Sequence, residues 1–199
     1  MSDIAETVSE AVEGAETSRL HSWIAILVAL AATFMALCNV KDGNVVQAMA
    51  QDQAKAVDAW SYYQAKSTKQ NLAEATLDQL SVEKALTATA PPEARALLDR
   101  KILAYTAAVK RYEGEKETIK KSAEGFQADY DRLNVHDDQF DLAEAFLSIS
   151  IALFGITALT RKRGMLVVAL AFVAAGLVFG LAGFLKLDLH PDFLARLLG

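Results

Sequence analysis

Residues 165–185 read MLVVALAFVAAGLVFGLAGFL, without one charged side chain. An α-helix of about 20 residues is what a hydrocarbon core of about 30 Å requires, and this run has that length. Just upstream stand Arg161, Lys162, Arg163 and Gly164. Before them residues 142–160 read LAEAFLSISIALFGITALT, apolar apart from Glu144. A third run, WIAILVALAATFMALCNV at 23–40, is again uncharged. The pattern predicts an all-α membrane protein with transmembrane helices at 23–40, 140–160 and 165–185. Two uncharged runs of spanning length argue against buried core helices of a soluble domain.

The averages alone do not decide this. Hydrophobic residues make up 53% of the 199, alongside 20 basic and 25 acidic side chains, a mixture that soluble domains also accommodate. The distribution is what separates the classes, because the charges crowd between the first two apolar runs. A net charge of −5, with no basic stripe carrying interleaved aromatics, gives no reason to expect nucleic-acid binding. Cys38 is the only cysteine and cannot form an intramolecular disulfide.

The first run could be a signal peptide, but residues 1–22 form a long acidic tail (Asp3, Glu6, Glu10, Glu13, Glu16) where a signal sequence has a short positive start. The small-x-small site Ala48-Met49-Ala50 lies well beyond the run. Lipoprotein processing at Cys38 would need a small residue where Leu37 stands. An uncleaved anchor fits better.

Orientation follows from the loop at 161–164. Three cations in a short connection mark the cytoplasmic side. Alternation then places the N-terminal tail inside, and residues 41–139 and the C-terminus outside.

Residues 41–139 predict a long extramembrane antiparallel helical hairpin, coiled-coil-like, with its turn at Pro91-Pro92. Segments 44–89 and 93–133 are rich in helix formers, and two prolines stop one helix and open the next. In the second arm Leu98, Ile102, Tyr105, Val109, Tyr112, Lys116, Ile119, Ala123, Phe126, Tyr130 and Leu133 alternate in steps of four and three, which is a heptad seam. The first arm carries a drifting stripe of Val46, Met49, Val57, Trp60, Tyr63, Leu72, Leu77, Leu80 and Leu86. These side chains are expected to pack between the arms. Gly43-Asn44, and Asn134 followed by Asp137-Asp138, are expected to break the helices at the membrane.

Small residues form seams in all three spans: Ala25, Ala29, Ala32 and Ala36 in the first, Ser148, Ala152 and Gly155 in the second, and Gly176, Gly180 and Gly183 in the third. Such faces let helices approach closely where lipid removes the hydrophobic drive. They predict a packed bundle and contacts between copies. Glu144 shares a face with Ser148, Ala152 and Gly155 and should point toward protein. An intramembrane acid is a functional candidate for ion or proton movement. The competing structural reading places Glu144 in the first turn of its span, steadied by interfacial water and a helix N-terminus.

No phosphate-binding glycine loop, nucleophile elbow or paired-cysteine metal site occurs. His136-Asp137-Asp138 and Asp188-Leu189-His190-Pro191-Asp192 hold metal-ligand residue types without a ligand spacing, and are expected to be solvated turns. Residues 186–199 (Leu187, Leu189, Phe193, Leu194, Leu197, Leu198) predict an amphipathic tail on the membrane. No enzyme activity, cofactor or metal is expected.

Trp60-Ser61-Tyr62-Tyr63-Gln64-Ala65-Lys66-Ser67, with Tyr112-Glu113-Gly114-Glu115-Lys116-Glu117 and the closing spans around Arg161-Lys162-Arg163, resembles an uncharacterised family of bacterial membrane proteins known only as a domain of unknown function. The resemblance implies three spans with a helical insert in a bacterial inner membrane, and it supplies no activity or catalytic residue. The expected role is a membrane-anchored interaction or scaffold protein, with a subunit of an oligomeric channel or transporter as the alternative. Expected partners are the lipid bilayer and either further copies of the chain or another membrane or extracytoplasmic protein.

Overall fold

In the computed structural model the chain forms three α-helices and, among the described residues, no strand: α1 (Ser2–Leu86), α2 (Pro92–Thr160) and α3 (Arg163–Leu185). The structure describes residues 2–187 and 189, with side chains from Arg19 onward. The side chains of the acidic tail before Arg19, and the amphipathic tail beyond Leu189, lie outside the described residues. Each helix contains a stretch long and apolar enough to cross a membrane, consistent with a multi-pass membrane protein.

The expected breaks at Gly43-Asn44 and around Asn134 do not occur, and α1 and α2 run through them. Gly43 takes no positive φ. Asn44 Nδ2 donates to Val40 O at 2.9 Å. The side chain expected to cap a new helix thus satisfies a carbonyl of the same helix, as short polar side chains do when exposed mid-helix. At the distal turn α1 ends at Leu86, ahead of the expected limit at residue 89. Thr87 N donates to Glu83 O and Ala90 N to Thr87 O, both at 3.0 Å. Pro92 opens α2, where its missing N–H is no loss.

The α2–α3 connection is tighter than 161–164: only Arg161 and Lys162 lie between the helices. Arg161 is left-handed (φ 57°), with its N–H donating to Thr157 O at 2.8 Å, and Lys162 is extended at the start of α3. Left-handed geometry is how many helices end, usually on glycine. Here Gly164 sits inside the first turn of α3, and Arg161 reverses the chain.

The chain divides into two compact units, one of residues 1–48 and 132–199 and the other of residues 49–131. The first is a three-helix bundle. On α1 the buried residues Ile24, Ala31, Cys38 and Val45 recur every seven positions, as do Phe140, Leu147 and Phe154 on α2. A seven-residue repeat keeps one stripe of a helix against a neighbour. Ile24, Phe154 and Ala169 form one packed cluster with Leu27, Leu153 and Val173 around it. Farther along, Phe184 meets Phe34 and Phe140 with ring centroids 6.2 and 5.4 Å apart. Ser150 and Thr157, fully buried, donate to Leu147 O (2.6 Å) and Leu153 O (2.8 Å) of their own helix. Their hydroxyls are therefore satisfied within the helix, without water.

The second unit is the helical hairpin. Lys84 pairs with Asp99 and Lys66 with Glu115, and Lys55 lies over the Phe126 ring. In antiparallel arms folded about Pro91-Pro92 the residue numbers of facing groups total about 182, and these pairs obey that register. On α2 the heptad row is the inner face except at Tyr105, which is exposed: Leu98 and Ala123 are buried, and Ile102, Val109, Tyr112, Lys116, Ile119, Phe126, Tyr130 and Leu133 are partly so. On α1 the expected stripe needs correction. Met49 and Leu80 are buried, but Val46, Val57, Leu72 and Leu86 are exposed, while Ala56 and Ala73 face inward. The bulky row on α2 already fills the space between the arms, so the facing helix turns its alanines to it.

Candidate functional site

Within the bundle unit a group of carboxylates gathers where α1 and α2 carry their last apolar turns. Asp42 belongs to α1. On α2, Asp137, Asp141 and Glu144 recur at helical spacing on one face, beside Asp138. Asp137 is pushed up to about 6, first by burial and then by the charge of Asp42 and the hydrogen bond it makes to it. Asp42 is raised as well, chiefly by burial, against the opposing effect of that hydrogen bond, with Asp141 and Glu144 adding repulsion. Below about pH 6 Asp137 is the protonated partner of this hydrogen bond, donating to Asp42. The remaining oxygen of Asp42, Oδ1, is buried without a hydrogen-bond partner among the described residues.

Glu144 is half-buried and accepts a hydrogen bond from Asn39 Nδ2 at 3.5 Å. Because α2 is continuous from Pro92, Glu144 lies deep within a helix, and no helix N-terminus is there to steady it. The Asp42–Asp137 pair was not visible as a site in sequence. The hairpin register would have found it, since the same total of about 182 brings Asp42 to the turn of α2 that holds Asp137 and Asp141.

One turn away the structure corrects the expectation of a solvated turn at His136-Asp137-Asp138. His136 is buried and Gln139 fully so, both inside α2. Gln139 Nε2 donates to Leu187 O (2.9 Å) and Leu189 O (2.8 Å), and its Oε1 lies 3.3 Å from His136 Nδ1. The left-handed Lys186 (φ 54°) ends α3 and turns the chain so that those carbonyls reach Gln139. With both amide hydrogens committed, Oε1 must accept, which assigns the hydrogen to His136 Nδ1.

The small-residue seams part company. A methyl added at Gly176 would meet Leu147 Cγ at 2.8 Å, one at Gly180 would meet Phe34 Cε1 at 2.7 Å, and one at Gly183 would meet Phe140 Cζ at 2.7 Å. These three glycines are packed within the chain. Gly155 has nothing within 4 Å of an added methyl, and Ala152, Gly155, Ala25, Ala29 and Ala36 are exposed. Ser148 Oγ touches Met35 Sδ at 3.4 Å, beside Asn39–Glu144. On α1, residues 34 and 38 meet α3 and residues 35 and 39 meet α2, so Ala36 and its helical neighbours Ala32, Ala29 and Ala25 turn outward past α2. Ala152 and Gly155 follow Ser148 at the same spacing. The two open seams therefore flank the α1–α2 contact on the side away from α3.

Among the described residues no cluster of His, Cys, Asp and Glu is arranged to hold a metal ion. No curated protein and no solved structure matches the chain. A family model does match, over residues 20–186, which takes in all three helices' apolar stretches and both arms of the hairpin. The chain belongs to the family described as a domain of unknown function, DUF4337.

Proposed function

We propose that this protein is a membrane-anchored interaction protein, with three transmembrane helices at 23–40, 140–160 and 165–185, its basic connection in the cytoplasm and its coiled-coil hairpin outside. The observation that supports this best is the pair of open small-residue seams. Inside the bundle the glycines of α3 are filled by Leu147, Phe34 and Phe140, so α3 needs no further partner at that face. The seams of α1 and α2 have none, and close approach of another helix is what such faces favour in lipid. A second copy of the chain is the occupant in this reading.

Two experiments test it. An impermeant thiol reagent should label Lys84→Cys from outside and Gly164→Cys only after permeabilisation, and the opposite result reverses the orientation. Oxidation of Ala152→Cys in native membranes should give a disulfide-linked dimer, which Gly155→Leu abolishes while leaving helicity unchanged. A monomeric native mass in membranes and in mild detergent would exclude self-assembly and assign the seams to a different protein.

A second reading, as a subunit of an oligomeric channel or transporter, draws on Glu144, half-buried between helices and bonded to Asn39. Ion flux in proteoliposomes that disappears on Glu144→Gln would favour it over the anchoring role.

A further inference from the structure

We infer that the outer face of α2 near the hairpin turn is a docking surface for an anionic lipid bilayer, separate from the anchoring spans. Between Ala94 and Tyr112 the sequence places five cations against one acid, Asp99; Arg95 and Lys101 turn toward α1, beside Asp99 and Glu83, which leaves Arg100, Lys110 and Arg111 for the outer face. Asp99 is already held by Lys84 across the arms. Among the described residues no carboxylate pairs with Arg95, Arg100, Lys101 or Lys110, and Arg111 reaches Glu115 only at 3.7 Å.

The arrangement is amphipathic in an unusual sense. Leu97, Arg100, Leu103, Ala107, Lys110 and Arg111 recur at helical spacing, all exposed, on the side turned away from the inner row Leu98, Ile102 and Val109. Leu97 is 57% and Leu103 71% exposed. Nothing in the hairpin covers them. Glu93, exposed one turn before Leu97, shares this face and is outnumbered by the three cations Arg100, Lys110 and Arg111; two protruding leucines stand among them, and alanine between lets the backbone lie close to a flat surface. Cations alone would suit an acidic protein. Leucines set among them fit the boundary between headgroups and acyl chains, where both parts of the face are satisfied together. The surface goes beyond the anchoring role and does not depend on which side of the membrane the hairpin occupies.

The test uses the full-length protein in phosphatidylcholine nanodiscs, floated with vesicles of phosphatidylcholine alone or with about one third phosphatidylglycerol. Retention is expected on the anionic vesicles only, and to be lost at high salt, as exposed charge–charge attraction requires. Arg100→Gln with Lys110→Gln should weaken retention about 25-fold, roughly fivefold per cation. Leu97→Ser with Leu103→Ser should also weaken it. Circular dichroism melts of both double variants should match the parent, since the four substituted positions are exposed. Equal retention on neutral vesicles, or indifference to both double variants, would overturn the assignment. So would soluble polyglutamate displacing the protein from anionic vesicles while the leucine variant binds normally, which would point to an acidic protein instead.

Discussion

The ammonium of Lys66 meets the carboxylate of Glu115 across the two arms of the hairpin, with the rings of Tyr62 and Tyr112 5.2 and 5.5 Å from the nitrogen. A neighbouring cation, Lys116, lies over Tyr63 at 5.2 Å. Two lysines thus enter the seam between the arms by resting on aromatic faces. A polar pair in such a seam favours one register over its neighbours, because a slipped pairing would leave each charge unmatched.

That pair gives an acid-dependence prediction. The Lys66 ammonium holds Glu115 below its ordinary value of 4.5. A lowered folded-state value means stability that is present above 4.5 and lost as pH falls through the folded value. Thermal melts of the hairpin helices should therefore weaken in the acid range, and Glu115→Gln should flatten that part of the profile. The double exchange Lys66→Glu with Glu115→Lys should restore the acid sensitivity.

The carboxyl pair of the bundle predicts the opposite slope. Asp137 sits at about 6, pushed up by burial and by Asp42, so the folded state binds a proton that the unfolded state does not hold. Stability from this pair is complete below the ordinary value of 3.8 and is lost as pH rises through about 6. Melting temperature in detergent should fall as pH rises from about 4 to about 6 and level off above that, chiefly because burial disfavours the charged carboxylate. Asp137→Asn, which cannot ionise, should remove the dependence, and an unchanged profile in that variant would contradict a protonated Asp137.

Ala123 is fully buried in the inner row of α2. Ala123→Leu should overpack this level and destabilise the hairpin by about 1–3 kcal/mol. Ala128→Leu, on an exposed position of the same helix, should change little. Denaturant titration of the full chain, followed by ellipticity, separates the two.

Glycines of equal chemistry should behave unequally in the bundle. Gly180→Ala pushes a methyl against Phe34 and Cys38 Sγ, at 2.7 and 3.0 Å, and should cost about 1–3 kcal/mol unless the ring shifts. Gly155→Ala meets open space and should be neutral, or slightly stabilising through helix propensity of up to about 1 kcal/mol. Unfolding of the two variants in mixed detergent compares them directly.

The parts of this fold legible in sequence are those where bulk marks the inside. The row from Leu98 to Leu133 carries mostly large side chains at heptad spacing, and α2 turns all of it but Tyr105 inward. The first arm was less legible because its inward positions are small or polar (Ala56, Lys66, Gln70, Ala73), while its branched residues Val57 and Leu72 lie outside. Propensity signals also misled at Gly43-Asn44, where the packing of α1 against α2 outweighs two weak helix formers. The site was hardest to see. Asp42 and Asp137 are far apart in sequence, and only the register of the arms makes them neighbours. Gln139 gave no sign at all, because its partners are backbone carbonyls, which no side-chain pattern reveals.

The cluster of Ile24 with Phe154 and Ala169 imposes an order on biosynthesis. At roughly 5–20 residues per second, the ribosome needs about 6–26 seconds to travel from Ile24 to Phe154. During that interval the apolar stretch of α1 stands without the helices that will cover it, its inward row Ile24, Ala31 and Cys38 open to chaperones, lipid or a neighbouring nascent chain. The apolar stretches of α2 and α3, joined by only Arg161 and Lys162, emerge almost together and can close on each other at once. A truncation before residue 140 should therefore leave the apolar stretch of α1 an orphan for quality-control proteases, although every residue of that stretch is present.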